Sequence, residues 1–474
     1  MKNTVVQATD PSSKYSDFVL CTVPISNPDS PLIGASLLSA ILKKNGHTST
    51  VIDLNIIFNS VYMNYYDEPW ISLEATFADT VLFQEYLFKI DDLVESWVEQ
   101  ILSVRPKFVG FSAFTYGNSA MIYEISRRIR ASSNSVKIIV GGSYCEYIGK
   151  DMYDKKLVDF YVVGHGEEAI LKIANGDALG FQGINGGRAK SVSFTDLPHP
   201  DYTDLDLKKY SRTMNIAGSR GCPWECTFCS VTTKWPKYVL REPDDIVSEL
   251  ANHIIVNQIY SFYFIDSLMN GSMGHLRKLC SLLSSLRSKV EHEFEWQTFF
   301  LVRGQRVMVP EDFDLVVKSN CKLVKIGIES GSSSVRDHMK KNFDTADLFY
   351  FMDQMIRVGL HCDLLFITGY PTETEEDFEQ TKQLLLSLKR YQSIIEHVRV
   401  APIYINFEIP LWEMRNELNI QYDNNGGWFN QLSSSSIAAA RYIELRDFVF
   451  SHGYKIRGRE DERMKMVNLR KKRT

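Results

Sequence analysis

Short hydrophobic runs alternate with longer amphipathic segments along the first part of the chain. The runs, which are typical of buried strands, lie at 17–23, 50–54, 107–113, 137–140 and 158–163. Between them, hydrophobic residues recur at helical spacing at 33–44, 91–104 and 119–131. Apolar strands that alternate with helices and end next to glycine predict a doubly wound parallel sheet, whose ligands bind beyond the carboxyl ends of the strands.

A second alternation of the same kind follows. Its strand candidates lie at 214–218, 260–265, 294–302, 323–329, 363–368 and 398–405. These units predict a partial (β/α)6 barrel, with any chemistry at the carboxyl ends of the strands. We therefore expect an α/β protein with four parts: a Rossmann-like domain at 1–185, a Gly-, Ser-, Asp- and Pro-containing linker at 186–208, the barrel at 209–405 and a less regular C-terminal extension at 406–474.

Composition narrows the class of protein. The 474 residues are 44% hydrophobic and 23% charged, and the net charge is −5. This acidic balance argues against a general nucleic-acid-binding protein. No run approaches ~18 apolar residues, and the N-terminal segment lacks the apolar core of a signal peptide. We therefore expect no membrane helix and a cytoplasmic location.

Three of the eight cysteines, Cys222, Cys226 and Cys229, form a Cys-x3-Cys-x2-Cys motif directly after a predicted strand. Thiolates at this spacing on one loop can converge on an inorganic centre, but a closed zinc site needs four ligands. The nearest downstream candidate for a fourth ligand is His253. A four-iron, four-sulfur cluster normally has four cysteines, so three would leave one iron open to a substrate or cofactor. Zinc with a distant fourth ligand, or three reduced core cysteines, are the alternatives.

This motif, placed after the first strand of a partial barrel, resembles that of the radical S-adenosylmethionine (SAM) superfamily, and Phe228 before the third cysteine matches the family pattern. The resemblance implies a [4Fe–4S] cluster on Cys222, Cys226 and Cys229, whose open iron binds the amino and carboxylate groups of SAM. One-electron cleavage of SAM would give methionine and a 5′-deoxyadenosyl radical, which abstracts a hydrogen atom from the substrate.

Later strand ends are similar to the SAM-binding motifs of that family. The segment Phe-Ile-Asp-Ser ends the second strand, Ile-Gly-Ile-Glu-Ser-Gly-Ser ends the fourth and Ile-Thr-Gly-Tyr-Pro ends the fifth. A carboxylate can accept two hydroxyl hydrogen bonds, which suits a ribose. By resemblance, the SAM contacts are Asp266, Ser267, Arg303, Glu329, Ser330, Ile367 and Gly369. For Arg303, which closes the third strand, a surface ion pair is an equally good interpretation.

The N-terminal half resembles the cobalamin-binding domain that precedes the barrel in one radical SAM subgroup. A dinucleotide site is the competing interpretation, but the first strand and helix lack Gly-x-Gly-x-x-Gly. None of the ten histidines stands in an Asp-x-His-x-x-Gly motif, so the resemblance implies cobalamin bound without a lower histidine from that loop. The implied cobalamin contacts are Ser112, Gly141, Gly142, Gly164, Gly166 and Glu167. His165 is interpreted as a local hydrogen-bonding residue.

The favoured function is cobalamin-dependent C-methylation of a peptide or other natural-product substrate, with flavodoxin or ferredoxin as electron donor and no nucleic-acid or membrane partner. The first alternative is a radical SAM peptide epimerase with a degenerate cobalamin-type domain, which needs a cysteine thiol as hydrogen donor. Cys362 is the candidate for that role, with Cys321 second, although both precede their strands at the end away from the cysteine motif. Cys362 also has opposite parity to Ile367 and Gly369 along its strand. A non-catalytic scaffold with a relic cluster is the second alternative.

Overall fold

The computed structural model describes residues 15–65, 73, 76–77, 80–190, 193–195, 197–424 and 426–456. The polar segment 1–14, on which the expectation of no signal peptide depends, lies outside them. The chain divides into two compact units, Met1–Arg212 and Thr213–Thr474. Across the described residues, no helix combines the length and the apolar character that crossing a membrane requires.

The first unit contains a five-stranded sheet in which every pair is parallel, in the order β2-β1-β3-β4-β5. The strands are β1 (Phe18–Thr22), β2 (Ser49–Asp53), β3 (Phe108–Ser112), β4 (Lys137–Gly141) and β5 (Phe160–Tyr161). The connecting helices are α1 (Ile33–Lys44), α2 (Leu54–Tyr65), α3 (Thr80–Ser103), α4 (Ser119–Ser132), α5 (Cys145–Asp154) and α6 (Gly166–Ala174). The predicted helix at 33–44 has the bounds of α1.

Both faces of this sheet are covered, as expected of a doubly wound fold. Alternate residues of β1 belong to two different hydrophobic clusters: Val19 and Cys21 pack on one side, and Phe18 and Leu20 pack on the other. Because a strand buried on both faces has hydrophobic residues at every position, β1 is recognisable in the sequence as a continuous apolar run. The carboxyl ends of the strands are left as the edge at which a ligand can bind.

The second unit contains a six-stranded sheet of parallel strands in the order β6-β9-β10-β11-β12-β13. These strands are β6 (Thr213–Ile216), β9 (Ser261–Phe264), β10 (Glu295–Phe300), β11 (Cys321–Glu329), β12 (His361–Thr368) and β13 (Ile395–Pro402). The helices along this part of the chain are α7 (Val231–Lys234), α8 (Pro243–Ile255), α9 (Met273–Arg287), α10 (Pro310–Lys318), α11 (Ser333–His338), α12 (Thr345–Val358) and α13 (Glu375–Leu388). This arrangement confirms the expected partial barrel.

Short elements complete the second unit. A two-stranded antiparallel ribbon lies between β6 and α8, and a second ribbon lies near the end of the described chain. The first comprises β7 (Ser219–Arg220) and β8 (Val239–Leu240), and the second comprises β14 (Gln421–Tyr422) and β15 (Trp428–Phe429). Helix α14 (Pro410–Glu413) precedes β14, and helix α15 (Ser435–Ser451) follows β15.

Helix α15 corrects the expectation of a less regular C-terminal extension. Its buried side chains include Arg441 and Tyr442 beside the small Ala438, so the apolar stripe that would predict a helix is interrupted. The helix packs at the end of β12, where the Thr368 hydroxyl donates to the Ala438 carbonyl at 2.9 Å. Helix α15 therefore packs against the barrel at the carboxyl end of β12.

We expect Gly331→Ala to destabilise the second unit. A Cβ built at Gly331 lies 2.4 Å from the Gln380 carbonyl oxygen and from the Thr381 Cα, both backbone atoms of α13. Overpacking of this kind typically costs about 1–3 kcal/mol. The melting temperature should fall in Gly331→Ala but not in the control Gly274→Ala, because nothing lies within 4 Å of a Cβ at Gly274 in helix α9. Equal melting temperatures for both variants would contradict the packing of α13 on this loop.

Candidate active site

The three cysteines of the motif lie in the loop between β7 and β8, beyond the carboxyl end of β6. All three are free thiols of intermediate exposure. The loop begins at Gly221, whose φ of +79° favours glycine. A Cβ at that position would lie 2.4 Å from the Lys237 carbonyl oxygen, so the glycine also permits the close approach of the returning chain.

The thiols lie close enough to influence one another electrostatically. Burial raises the pKa of Cys226 to about 11, the neighbouring Cys229 adds to this, and the Lys341 ammonium opposes it. Burial likewise raises the pKa of Cys222, against the effect of Lys341 and Arg303. Among the described side chains, no group of three His, Cys, Asp or Glu residues is close enough to hold a single metal ion. The possible metal ligands of this loop are therefore three neighbouring thiols, and the side chains of Lys341 and Arg303 lie beside them as cations.

Asp266 fixes the start of this loop from the neighbouring strand. Its carboxylate follows β9, is 2% exposed and accepts a hydrogen bond from the Gly218 backbone N–H at 2.9 Å. Burial raises the pKa of Asp266 to about 6, although the hydrogen bond from the Gly218 N–H and the charge of Arg241 act in the opposite direction. Asp266 thus lies beside the cysteine loop and holds its backbone. The adjacent Ser267 is exposed.

Glu329 ends β11 in a strained conformation. Its φ is +69°, and the pairing with β12 shifts register between Gly327 and Glu329. This bulge turns the carboxylate inward, where Glu329 Oε1 accepts from Lys341 Nζ at 3.0 Å and both side chains are nearly buried. The Lys341 ammonium also lies 5.8 Å from the centroid of the Phe228 ring in the cysteine loop. Glu329 and the cysteine loop are therefore joined through one lysine.

Arg303 follows β10 and stacks on the cysteine loop. Its guanidinium carbon is 3.9 Å from the centroid of the Trp224 ring, and Nη2 donates to the Asn270 carbonyl at 2.9 Å. Burial lowers the pKa of Arg303 from its usual value. Three buried polar atoms here have no hydrogen-bond partner in the described part of the chain: Trp224 Nε1, Tyr238 Oη and Arg303 Nε. Unsatisfied buried donors are costly, so this group indicates a place for a polar ligand.

The loop after β12 is held by the C-terminal helix. Gly369 has a φ of +76°, and a Cβ there would lie 2.2 Å from the Ala438 Cβ. Its N–H donates to Glu373 Oε2 at 2.7 Å, and its carbonyl accepts from the Ser433 hydroxyl at 2.9 Å. Burial raises the pKa of Glu373 to about 7, while Gly369 and Arg441 oppose this as donors. The backbone of Gly369 is thus fully positioned before any ligand arrives.

Two further predicted SAM contacts, Ile367 and Ser330, differ in whether their side chains can reach a ligand. Ile367 is partly exposed on the inner side of β12, whereas Thr368 packs against α15. Ser330 is completely buried, and its hydroxyl accepts from the Ser332 N–H at 3.2 Å and lies 3.4 Å from the Thr381 hydroxyl. Ser330 therefore shapes the turn into α11 and its packing on α13. The position of Ile367 suits contact with a ligand in the barrel.

Cys362 and Cys321 are both buried near the amino ends of their strands. Burial raises the pKa of the Cys362 thiol, so it resists ionisation. Cys362 shares its side of β12 with Thr368, which contacts helix α15, so the thiol faces the helical layer. The predicted donor cysteine is thus turned away from the inner side of the barrel.

The carboxyl edge of the first unit carries the residues predicted for cobalamin. Ser112 and Gly141 end adjacent strands in register, and Gly142 follows with a φ of +100°. The Ser112 hydroxyl makes no hydrogen bond to any described residue. The buried hydroxyl of Ser119, which begins α4, likewise has no partner there. Exposed Phe114 lies between these serines in the sequence. Hydroxyls and an aromatic side chain at a sheet edge fit a large polar ligand.

The remaining predicted residues of that edge surround the start of α6. Gly164 has a φ of +93°, and a Cβ there would lie 3.0 Å from the Ala189 carbonyl oxygen. Gly166 begins α6, and a Cβ there would be in ordinary contact with Leu38. His165 and Glu167 are buried, with His165 Nδ1 3.8 Å from Glu167 Oε2. The His165 ring therefore lies next to the Glu167 carboxylate within the first unit.

Comparisons with known families agree with this geometry. The model of the Radical SAM superfamily matches residues 216–385, and the model of the B12 binding domain matches residues 26–174. The chain therefore contains a radical SAM domain preceded by a B12-binding domain. It is a radical SAM enzyme whose cofactors are a [4Fe–4S] cluster, SAM and cobalamin. The resemblance and the cofactors inferred from the sequence are thereby confirmed.

Curated relatives of the chain include two methyltransferases. It is 25% identical over 316 residues to an uncharacterized methyltransferase of Pyrococcus horikoshii, covering 61% of this chain and 66% of the relative. It is 21% identical over 408 residues to cytidylyl-2-hydroxyethylphosphonate methyltransferase of Streptomyces wedmorensis, covering 75% and 70%. The chain thus spans about two thirds of the length of these curated relatives.

Two solved structures share the fold of both units. The radical SAM methyltransferase TsrM from Kitasatospora setae superposes with a TM-score of 0.63 at 16% identity, covering 85% of this chain and 76% of that one. The cobalamin-dependent SAM radical enzyme OxsB superposes with a TM-score of 0.67 at 15% identity, covering 92% and 67%. At these identities the similarity establishes the fold, and it confirms the predicted architecture.

Several residues of the site are absent from the sequence prediction. Lys341, which pairs with Glu329, lies in a solvent-like run beside Lys340, and nothing in that run distinguishes the buried lysine. Asn270 is completely buried and bonds both the N–H and the carbonyl of Leu301, just before Arg303. These contacts join residues from different strand ends, so spacing along the chain carries no signal for them.

Asp266→Asn should change how stability depends on pH. The pKa of Asp266 is about 6 in the folded chain against an ordinary 3.8. Its proton therefore stabilises the fold below about pH 4, and that contribution is lost as the pH rises through 6. Two pKa units correspond to roughly 3 kcal/mol. The melting temperature of Asp266→Asn minus that of the wild type should therefore increase between pH 4 and 7.

The control for this measurement is Asp314→Asn, which changes a half-exposed carboxylate of the same unit. Because solvent screens that group, its difference from the wild type should change much less over the same range. A pH-independent difference for Asp266→Asn would show that the Asp266 carboxylate is not desolvated as described.

Proposed function

We propose that this chain is a cobalamin-dependent C-methyltransferase acting on a carbon of low acidity in a peptide or other natural-product substrate. The observation that carries the proposal is the three-thiol loop at the carboxyl end of the barrel, beside buried donors of Trp224, Tyr238 and Arg303 that have no hydrogen-bond partner in the described part of the chain. The B12-binding domain in the same chain supports methylation as the outcome. When bound, the cluster with SAM supplies a carbon-centred radical and cobalamin supplies a methyl group.

The cations at the loop make the three thiols suitable as cluster ligands. Burial alone raises the pKa of Cys222, Cys226 and Cys229, which disfavours the thiolates that iron requires. The positive charges of Lys341 and Arg303 act in the opposite direction. Three thiolates carry three negative charges, so fixed cations at the loop stabilise the ligated state.

Other residues would hold SAM at the same edge. Glu329 offers a carboxylate for hydroxyl groups, and its position is fixed by Lys341. Arg303 offers to a carboxylate its Nε, which no described residue accepts from. The preorganised Gly369 loop and the inner side of Ile367 offer backbone and apolar surface for an adenine ring. Hydrogen bonds within the protein already hold Glu329 and the Gly369 backbone, which lowers the free-energy cost of association.

Relatives support the class of substrate. One is a phosphonate-substrate methyltransferase by name, and the TsrM structure was solved with tryptophan as substrate. Both are methyltransferases acting on small molecules. An electron donor such as flavodoxin or ferredoxin is part of the proposal, because reductive cleavage of SAM needs one electron. The epimerase alternative is disfavoured by the placement of Cys362, whose thiol is buried and faces the helices.

Replacing any one of Cys222, Cys226 or Cys229 by Ala should abolish cleavage of SAM while the fold is retained. The chain reconstituted with iron and sulfide should hold about four iron and four sulfide atoms, and each variant should lose most of them. Cys280→Ala is the matched control, since Cys280 is buried in α9 and lies outside the loop. SAM cleavage that persists in a loop variant at the wild-type rate would refute the ligand assignment.

Methyl transfer should be detectable with SAM carrying an isotope-labelled methyl group. The label should appear in the product, and turnover should require added cobalamin. Candidate acceptors are screened with the fully reconstituted enzyme and a chemical or flavodoxin reductant. Cobalamin-independent turnover that places solvent deuterium at one product carbon would instead establish epimerisation, and Cys362→Ala and Cys321→Ala would then identify the hydrogen donor.

A further inference from the structure

Helix α15 reaches the loop after β12 with a buried arginine. Arg441, which is 7% exposed, donates from Nη1 to Glu373 Oε2 at 2.9 Å and to the Glu373 carbonyl at 3.1 Å. Its Nη2 donates to Glu375 Oε2 at 3.0 Å, and its guanidinium carbon lies 5.3 Å from the centroid of the Phe378 ring. Helix α15 lies beyond the matched radical SAM region, which ends at residue 385. The C-terminal extension thus contributes a charged side chain to a loop at the cofactor edge of the barrel.

The two carboxylates that Arg441 contacts differ in their other surroundings. Glu373 is 1% exposed, and the Oε2 atom that accepts from Arg441 also accepts from the Gly369 N–H at 2.7 Å. The Glu375 side chain is 72% exposed, at the first position of α13. Glu373 therefore joins Arg441 to the Gly369 backbone, whereas Glu375 receives Arg441 on the side that faces solvent.

Burial makes the charge of Glu373 sensitive to pH near neutrality. It raises the pKa of Glu373 to about 7, the Gly369 N–H and Arg441 act in the opposite direction, and the charge of Asp377 raises it further. Burial acts in the same way on Asp377, but hydrogen bonds from neighbouring hydroxyl and N–H groups hold its pKa below the usual value. A guanidinium stays protonated throughout this range. Between Arg441 from α15 and Asp377 from α13, Glu373 is thus the group whose charge changes around pH 7.

We propose that Arg441 and Glu373 are positioning residues for the nucleoside part of SAM, with the ionised Glu373 holding the Gly369 backbone in place for the adenosyl group. The inference rests on the proposed function, because it deepens the assignment of the Gly369 loop to adenine. A carboxylate is a stronger acceptor for the Gly369 N–H than a protonated carboxyl group. When Glu373 takes up a proton, the buried guanidinium also loses its buried anion. The loop is then held less firmly, and the adenosyl group binds less tightly.

The cysteine loop is connected to the same segment by a contact that does not involve α15. The Tyr370 hydroxyl lies 2.8 Å from the Thr227 hydroxyl, and both residues are buried. Thr227 lies between Cys226 and Cys229 in the sequence. Loss of the charge at Glu373 leaves this contact in place. The effect should therefore fall on nucleoside binding and not on the iron content of the enzyme.

The test measures binding of 5′-deoxyadenosine to the reconstituted enzyme by equilibrium dialysis, between about pH 6 and about pH 8. This probe has the nucleoside of SAM without its amino and carboxylate groups, so no group of the ligand titrates in that range. The wild-type affinity should rise with pH as Glu373 ionises, by about fivefold, which is the difference between a charge-assisted and a neutral hydrogen bond. Glu373→Gln keeps an acceptor for Gly369 but carries no charge. Its affinity should not depend on pH and should be close to that of the wild type at about pH 6.

The matched control is Glu375→Gln, because Glu375 also accepts from Arg441 but is exposed. This variant should keep the wild-type pH profile. Arg441→Met removes the cation that favours the ionised form of Glu373, so the rise in affinity should move to higher pH. Arg441→Lys keeps a cation and should move it back in part. The iron content and the melting temperature, measured at one pH, identify the variants that are folded and loaded.

Four results would overturn the proposal: no saturable binding of 5′-deoxyadenosine, a wild-type affinity that does not change with pH, a wild-type profile in Glu373→Gln, or a flat profile in Glu375→Gln. If Glu373→Gln fails to fold, the Arg441 variants decide, and an unshifted profile in both would overturn the proposal. If Arg441→Met fails to fold, the two glutamate variants decide. Binding is measured without turnover, so failure of methyl transfer alongside the expected profiles would refute the proposed function alone.

Discussion

A carboxylate removed from water must be satisfied by donors, and the second unit uses this constraint to fix loops that have little regular structure. The cysteine loop is the clearest case. Its backbone is tied to the barrel just before the loop by Asp266, which is buried and bonded to Gly218. Glu373 does the same for the loop after β12 by accepting from Gly369. At the cofactor edge, buried carboxylates therefore fix the loops by accepting hydrogen bonds from backbone N–H groups.

At the same edge, some buried polar groups have hydrogen-bond partners and others have none among the described residues. Asp266 and Glu373 have their donors within the protein, whereas Trp224 Nε1, Tyr238 Oη and Arg303 Nε have no partner among the described residues. Positioning groups are satisfied in advance, so they cost nothing when a ligand binds. Groups without partners gain hydrogen bonds only on binding. This difference separates the residues that shape the site from those placed to contact a ligand.

The architecture could be predicted because its strands, helix ends and cysteine motif are each encoded by residues close together in the sequence. Buried strands such as β1 are continuous apolar runs, helix α1 ends at an Asn-Gly pair, and the cysteine spacing is specific. The parity argument also placed Cys362 and Ile367 on opposite sides of β12, as the structure does. The remaining features depend on which residues of different strands become neighbours. The pairing of Lys341 with Glu329 requires a bulge that no spacing reveals.

Because helix α15 comes late in the chain, the loop after β12 is completed only late in translation. The loop that would receive adenine is completed only when Ser433 and Ala438 have reached the end of β12, because they supply the bond to the Gly369 carbonyl and the surface against which Gly369 packs. Five earlier strands of the barrel leave the ribosome before β13 and well before this helix, and domains fold as they emerge. A nascent chain can therefore expose its three thiols long before the opposite wall exists. Insertion of the cluster into a finished pocket has to wait for translation to pass α15.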